Sequence, residues 1–148
     1  MFYLFVDGAA RGNPGPAGVG IVLKEKDKII LKEKAYIGHK TNNEAEYSAL
    51  IIGLEEAAEF TDKIKVTSDS ELLVNQVKGE FKVKQIHLKS LLEKVREIQN
   101  SFLVFEIEHS FRENNKEADK LANEAIDEFN EGKREEIKLD YLKQEKLF

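Results

Sequence analysis

The sequence lacks cysteine and long apolar runs, and each absence excludes a class of protein. Its 148 residues contain no Cys, which excludes a disulfide framework, a thiolate zinc site and a Cys nucleophile. No apolar run approaches the ~18 residues that a membrane helix requires. The apolar start over 1–6 ends at Asp7, too soon for a secretory signal. We therefore expect a cytoplasmic protein that does not associate with membranes.

The chain also lacks an excess of basic residues. It has 23 Lys and Arg against 28 Asp and Glu, a formal net charge of -5. This balance argues against broad, unspecific binding to phosphate backbones, which depends on Lys and Arg. It leaves room for a nucleic-acid enzyme whose carboxylates hold metal ions.

Hydrophobic periodicity predicts an α/β fold. Hydrophobic residues make up 41% of the chain, and its length fits one domain with a substantial core. The predicted elements are strands at 2–6, 18–23 and 29–37, a helix at 41–58, a strand at 64–67, helices at 70–77 and 86–98, a strand at 102–107 and a helix from Asn114 or Asn115 to 129.

The connections between these elements predict the sheet. The short link between the second and third strands favours antiparallel pairing, whereas helical crossovers make the later strands parallel. We therefore expect a mixed five-stranded sheet, three antiparallel strands and then two parallel ones, with helices on both faces. This domain should cover 1–130, and the charged tail at 131–148 should be mobile or loosely docked.

Four acidic residues stand at the ends of these elements. Asp7 and Asp69 follow two predicted strands, and Glu46 and Asp119 lie in the first turns of two helices. If the two strands are neighbours, the carboxylates meet at the sheet edge where open α/β sheets bind ligands. Such a cluster requires a cation, and oxygen ligands favour Mg²⁺ or Mn²⁺. Each acid alone is more often a helix cap or a solvated charge.

Four short strings together resemble type 1 ribonuclease H. They occur in the family's order, each at the expected end of an element, and the resemblance covers about residues 1–130. The strings are DGAARGNPGPAG at 7–18, TNNEAE at 41–46, TSDS at 67–70 and NKEADKLA at 115–122.

This resemblance implies the ribonuclease H-like fold and hydrolysis of the RNA strand of RNA–DNA hybrids. It assigns the catalytic and metal-binding set to Asp7, Glu46, Asp69 and Asp119, with Asp7 bridging two Mg²⁺ or Mn²⁺ ions. Two such ions can hold the attacking and leaving oxygens of an in-line displacement, which leaves a 3′-hydroxyl and a 5′-phosphate. We expect a monomer. The alternative function is a non-catalytic hybrid-binding module of the same fold, which the presence of all four acids disfavours.

Four polar residues match positions that contact the substrate in this family. Asn13, Asn42 and Asn43 match residues that touch the hybrid in its minor groove, and Thr41 matches one that binds a phosphate of the DNA strand. An amide can both donate to and accept from a 2′-hydroxyl, the group that distinguishes RNA from DNA. Helix capping and turn formation are the alternative roles.

One segment departs from the family's common pattern. Many members carry a flexible loop with a His before the last helix, whereas 108–115 is short and lacks the usual glycines. Arg112 stands where such a loop would present a side chain, which resembles the archaeal-type subgroup, and His109 lies near the strand's end. We favour Arg112 for the loop's role, since a guanidinium holds a phosphate or a carboxylate although it cannot shuttle protons near neutral pH.

The last five residues carry a second, weaker resemblance. The string QEKLF at Gln144–Phe148 resembles peptides that dock on bacterial sliding clamps. The alternative is that the terminal Leu-Phe pair packs back on its own domain.

Overall fold

Five strands and four α-helices form in residues 1–139, the part of the chain that the computed structural model describes. A short 3₁₀ turn, Arg112–Asn114, precedes the last helix. The elements are β1 Phe2–Ala10, β2 Gly15–Glu25, β3 Lys28–Lys40, α1 Asn42–Ala58, β4 Lys63–Ser68, α2 Glu71–Val77, α3 Ile86–Gln99, β5 Val104–His109 and α4 Lys116–Asn130.

The strands form one mixed sheet in the order β3-β2-β1-β4-β5. The first three pair antiparallel, whereas β1–β4 and β4–β5 pair parallel. Helices α1 and α4 pack on opposite faces of this sheet, because Gly8 of β1 faces α1 while Gly20 of β2 faces α4. The predicted α/β architecture of three antiparallel and two parallel strands is confirmed.

The main core lies between the sheet and α1, with α3 packed on the outer side of α1. Burying these apolar side chains supplies the driving force for the fold, because each removes apolar surface from water. The largest fully buried side chains of this core are Leu4, Ile21, Leu23, Ile37, Tyr47, Leu50, Ile51, Leu54, Ile64, Leu73 and Leu91.

Several strand boundaries differ from the sequence prediction, among them the end of β1 and the starts of β2 and β5. Strand β1 continues through Asp7 to Ala10, because β2 begins early, at Gly15, and supplies pairing partners as far as Ala17 for Ala10. Asp7 therefore lies within a strand rather than after it. At the other edge, β5 starts only at Val104, since the preceding amide, that of Leu103, donates to the carbonyl of Asp62 at 2.7 Å.

The first residues of the charged tail contact β3. The amide of Ile137 donates to the carbonyl of Tyr36 at 2.8 Å, and Arg134 donates to the Glu128 carboxylate and to the carbonyl of Lys34, both at 3.0 Å. The rest of the tail, including the clamp-like peptide 144–148, lies outside the described residues. Among the helices of residues 1–139, none is long and apolar enough to cross a membrane.

Candidate active site

Three carboxylates meet where β1 and β4 lie side by side. Carboxylate oxygens of Asp7, Glu46 and Asp69 all lie within 4.8 Å of one another. Strands β1 and β4 are parallel neighbours, and Val6 pairs with Ser68. The next residue on each strand is an acid, Asp7 or Asp69, so the two acids come to the same place. The structure thus brings together three of the four acids that the sequence prediction placed at one site.

Helix α1 supplies Glu46 because both its start and its approach to the sheet are fixed. Thr41 and Glu44 form a capping box, in which the Thr41 hydroxyl accepts from the Glu44 amide and the Glu44 carboxylate accepts from the Thr41 amide. Gly8 allows the close contact, since a Cβ there would collide with the backbone of Ala45. The Gly8 amide then donates to Glu46 Oε1 at 2.6 Å, which orients the carboxylate.

Burial and mutual repulsion raise the pKa of two of these acids. Asp7 is 5% exposed, and its burial, followed by the charges of Glu46 and Asp69, raises its pKa to about 10. Burial also raises the pKa of Glu46 to about 8, although the Gly8 amide partly stabilises its charged form. A divalent cation would replace the protons as the compensating charge, and the all-oxygen donor set suits Mg²⁺ or Mn²⁺.

The fourth acid, Asp119, reaches the cluster from α4. Its side chain contributes to the rise in the pKa of Asp7, although it lies outside the three-way cluster. Helix α4 can come this near because Gly20 has no side chain, and a Cβ there would collide with the carbonyl of Ala118. The side-chain Nδ2 of Asn123 donates to the Asp119 carbonyl at 3.0 Å and to Asp119 Oδ1 at 3.4 Å.

Asn115 ties the start of α4 to the centre of the sheet. It was predicted only as a helix cap, but its side chain makes no cap bond and turns inward, where Nδ2 donates to the carbonyl of Val6 at 2.8 Å. It is 2% exposed, and its Oδ1 has no hydrogen-bond partner. Since Val6 precedes Asp7 and the Asp119 amide bonds the Asn115 carbonyl, this residue links the first and fourth acids. The signal for this role in the sequence was the position of Asn115, one helical turn before Asp119.

The two candidates for the loop His role lie in different surroundings. Arg112 Nε is 3.7 Å from Asp69 Oδ2, and the Arg112 side chain is 81% exposed. His109 ends β5 and stacks edge-to-face on Phe111, with ring centroids 5.9 Å apart. The geometry thus brings a guanidinium beside a site acid.

Two of the predicted substrate residues, Asn13 and Asn42, are hydrogen-bonded to each other near the start of α1. Asn13 Oδ1 accepts from the Asn42 amide at 3.0 Å, and Asn42 Oδ1 accepts from the Ala10 amide at 3.3 Å. The side-chain oxygens of Asn13 and Asn42 therefore each accept a hydrogen bond within the protein, and neither of these bonds uses the Nδ2 protons. Asn13 and Asn42 are exposed, while Asn43 and Thr41 are half-buried at the start of α1.

Comparison with known proteins gives a consistent result. The "Reverse transcriptase-like" family model matches residues 5–125. The chain is 44% identical over 128 residues to a ribonuclease HI of Halobacterium salinarum, covering 85% of this chain and 64% of that protein. It is 32% identical over 144 residues to a ribonuclease H of Coxiella burnetii, covering 86% and 91%.

A solved structure shows the same fold at similar identity. It is that of LC11-RNase H1 in complex with an RNA/DNA hybrid, with a TM-score of 0.84 and 42% identity over 88% of this chain and 99% of the other. The chain spans 64%, slightly less than two thirds, of the length of the Halobacterium relative.

Proposed function

Because the chain belongs to the ribonuclease H family, we propose that it is an endonuclease that hydrolyses the RNA strand of RNA–DNA hybrids. One observation carries this proposal: three mutually repelling carboxylates, one buried and two half-buried, converge where β1 and β4 lie side by side. A hybrid-bound relative of the same fold supports the substrate class. A non-catalytic module would have no reason to maintain so unfavourable a cluster.

The residues present fit a pair of divalent cations. Asp7, Glu46 and Asp69 would hold one ion, and Asp7 with Asp119 would hold a second. When bound, the two ions supply an activated water and stabilise the leaving oxygen. The water oxygen joins the scissile phosphorus as the bond to the 3′ oxygen breaks. The products carry a 3′-hydroxyl and a 5′-phosphate.

The Asn residues would read the RNA strand by its sugars. With their oxygens occupied within the protein, Asn13 and Asn42 present amide protons that can donate to a 2′-hydroxyl. The Thr41 hydroxyl accepts from the Glu44 amide, so its own proton can serve a phosphate of the DNA strand. Their preformed arrangement lowers the cost of ordering on binding.

Arg112 would take the role of the loop His in part. Its place 3.7 Å from Asp69 and its high exposure allow the guanidinium to contact a phosphate beside the site. This placement supports, as a proposal, kinship with the archaeal-type subgroup that carries Arg there.

The test is cleavage of end-labelled RNA–DNA hybrid, double-stranded RNA and single-stranded RNA with Mg²⁺, with Mn²⁺ or with EDTA. We expect metal-dependent cutting confined to the RNA strand of the hybrid. Fragments should accept phosphate from a kinase at the 5′ end only after phosphatase treatment, because they leave with a 5′-phosphate. Hybrid binding without cutting in either metal would contradict an endonuclease and favour the binding module.

A further inference from the structure

Arg11 joins two parts of the molecule that are far apart in sequence. It lies in the loop between β1 and β2, two residues before Asn13, and its side chain reaches across to α4. Its Nη1 donates to Asp127 Oδ1 at 2.7 Å, and its Nη2 donates to the carbonyl and to the Oδ1 of Asn123, both at 3.3 Å.

Asn123 continues this connection to Asp119. Its Nδ2 donates to the Asp119 carbonyl and to Asp119 Oδ1. A guanidinium can only donate and a carboxylate can only accept, so the two neighbours fix which way the Asn123 amide is turned. The bonds from Arg11 to Asn123 to Asp119 therefore form one continuous series.

The loop that carries Arg11 is itself held in place. The Arg11 amide donates to the carbonyl of Pro16 at 2.8 Å, and Gly15 lies so close that a Cβ would collide with the Arg11 carbonyl. On its other side, Asn13 is bonded to the start of α1 through Asn42. The series thus begins at a fixed point next to the proposed substrate contacts.

The charge of Arg11 is already matched within the protein. Asp127 forms an ion pair with it, and the two side chains are 40% and 55% exposed. An ion pair this exposed adds little stability, so its structural use is to direct the guanidinium toward Asn123. Direct contact of Arg11 with a nucleic-acid phosphate is the competing role, and the test separates the two.

We propose that Arg11 and Asn123 are positioning residues for Asp119, which hold its Oδ1 and leave Oδ2 available to a divalent cation. This inference rests on the proposed function. Asp119 is half-exposed on a helix surface, where an Asp side chain can adopt several rotamers. Holding one oxygen selects the rotamer that faces Asp7, as the outer partners of metal ligands commonly do.

The first measurement is Mn²⁺ binding to the full chain by calorimetry, without nucleic acid. Asn123→Ala should weaken Mn²⁺ binding about tenfold, the lower end of the range typical for loss of an outer partner. Asn130→Ala, the same change at the exposed end of α4, should bind as the parent does. Equal binding by Asn123→Ala and the parent would overturn the proposal.

The second measurement separates positioning from phosphate contact. Arg11→Lys keeps the charge and can keep the Asp127 pair, but a single ammonium cannot also reach Asn123 in the same geometry. Positioning predicts that Arg11→Lys and Arg11→Ala both need more Mn²⁺ for half-maximal cleavage, with KM for the hybrid changed less than about twofold. Rescue by Lys together with a raised KM in Arg11→Ala would assign Arg11 to phosphate binding instead.

A double-mutant cycle then shows whether the effect passes through Asp119. In an Asp119→Ala background, Asn123→Ala should have no further effect on Mn²⁺ binding, because the group it positions is gone. An undiminished effect there would overturn the proposal. If the parent binds Mn²⁺ with the expected differences among variants yet cuts no hybrid, the proposed function fails while the positioning role stands.

Discussion

The two helices that carry site acids begin in different ways. Helix α1 starts with a reciprocal capping box and holds Glu46 by a short bond from Gly8. Helix α4 starts at Asn115, whose side chain does not cap the helix but donates to the carbonyl of Val6 in β1. Glu46 is therefore held by a backbone amide, whereas Asp119 Oδ1 is held by the side chain of Asn123, which makes Asp119 the more adjustable acid.

Substitution of the acids themselves should show the largest contrast. Asp7→Asn should lower the cleavage rate on the order of a thousandfold or more, because it removes a ligand shared by both ions and several kcal/mol of transition-state stabilisation. Asp119→Asn, on the α4 side, should cost at least tenfold less. Rates would be measured on labelled hybrid, with circular dichroism to confirm folding. Parental activity in Asp7→Asn would refute the proposed site.

The two helix starts should also differ in what they contribute to stability. Asn115→Ala leaves the buried carbonyl of Val6 without its donor and should cost about 2 kcal/mol, in the range for an unsatisfied buried group. Thr41→Ala removes a surface cap and should cost about 1 kcal/mol. Urea unfolding of the metal-free proteins measures both free energies. A larger loss for Thr41→Ala would reverse the comparison.

The pH dependence of stability should arise from Asp7 on β1 and Glu46 on α1. Burial raises the pKa of Asp7 and of Glu46, so the folded state keeps protons that the unfolded chain releases near pH ~4. The folded state then binds more protons than the unfolded one, and stability of the metal-free protein should fall as pH rises from about 5 to 8.

Thermal unfolding with and without Mg²⁺ measures this slope. Asp7→Asn should flatten it, since an amide does not titrate, and millimolar Mg²⁺ should oppose the fall by binding the ionised form. A metal-free parent whose Tm rises over this pH range would contradict the direction of both pKa shifts.

The smallest effect should come from the exposed side chain next to the 3₁₀ turn. Arg112→Ala should lower turnover about threefold to tenfold, as expected for one exposed charge-assisted contact. His109→Ala should change it less, because that ring stacks on Phe111. Steady-state kinetics on the hybrid would rank them, and the opposite order would return the loop role to His109.

The sequence predicted the order of elements and the convergence of the acids because both are local signals. Strand and helix periodicities, and an acid next to a predicted strand end or helix start, can be read within a few residues. The end of β1 could not be predicted in this way. Ala10 belongs to the strand because it pairs with Ala17, whereas the Gly and Pro residues between them indicate only a turn. Local turn chemistry outweighed a pairing that depends on the partner strand.

The contacts around Asp119 escaped prediction for the same reason on a larger scale. Arg11 and Asn123 are 112 residues apart, and nothing local in either stretch indicates the other. Only the spacing of Asn123 one turn after Asp119 was visible as a helical neighbour. Asn115 was recognised as a helix start, but whether its amide caps or turns inward depends on the neighbouring strand.

The hydrogen bond between Ile137 and Tyr36 affects how far the protein can be shortened after α4. An edge strand whose backbone amides and carbonyls are unpaired can pair with a second molecule. Here the residues after α4 cover part of that border. A version trimmed at 130 would uncover it and favour self-association, so the smallest well-behaved fragment should extend at least through 139.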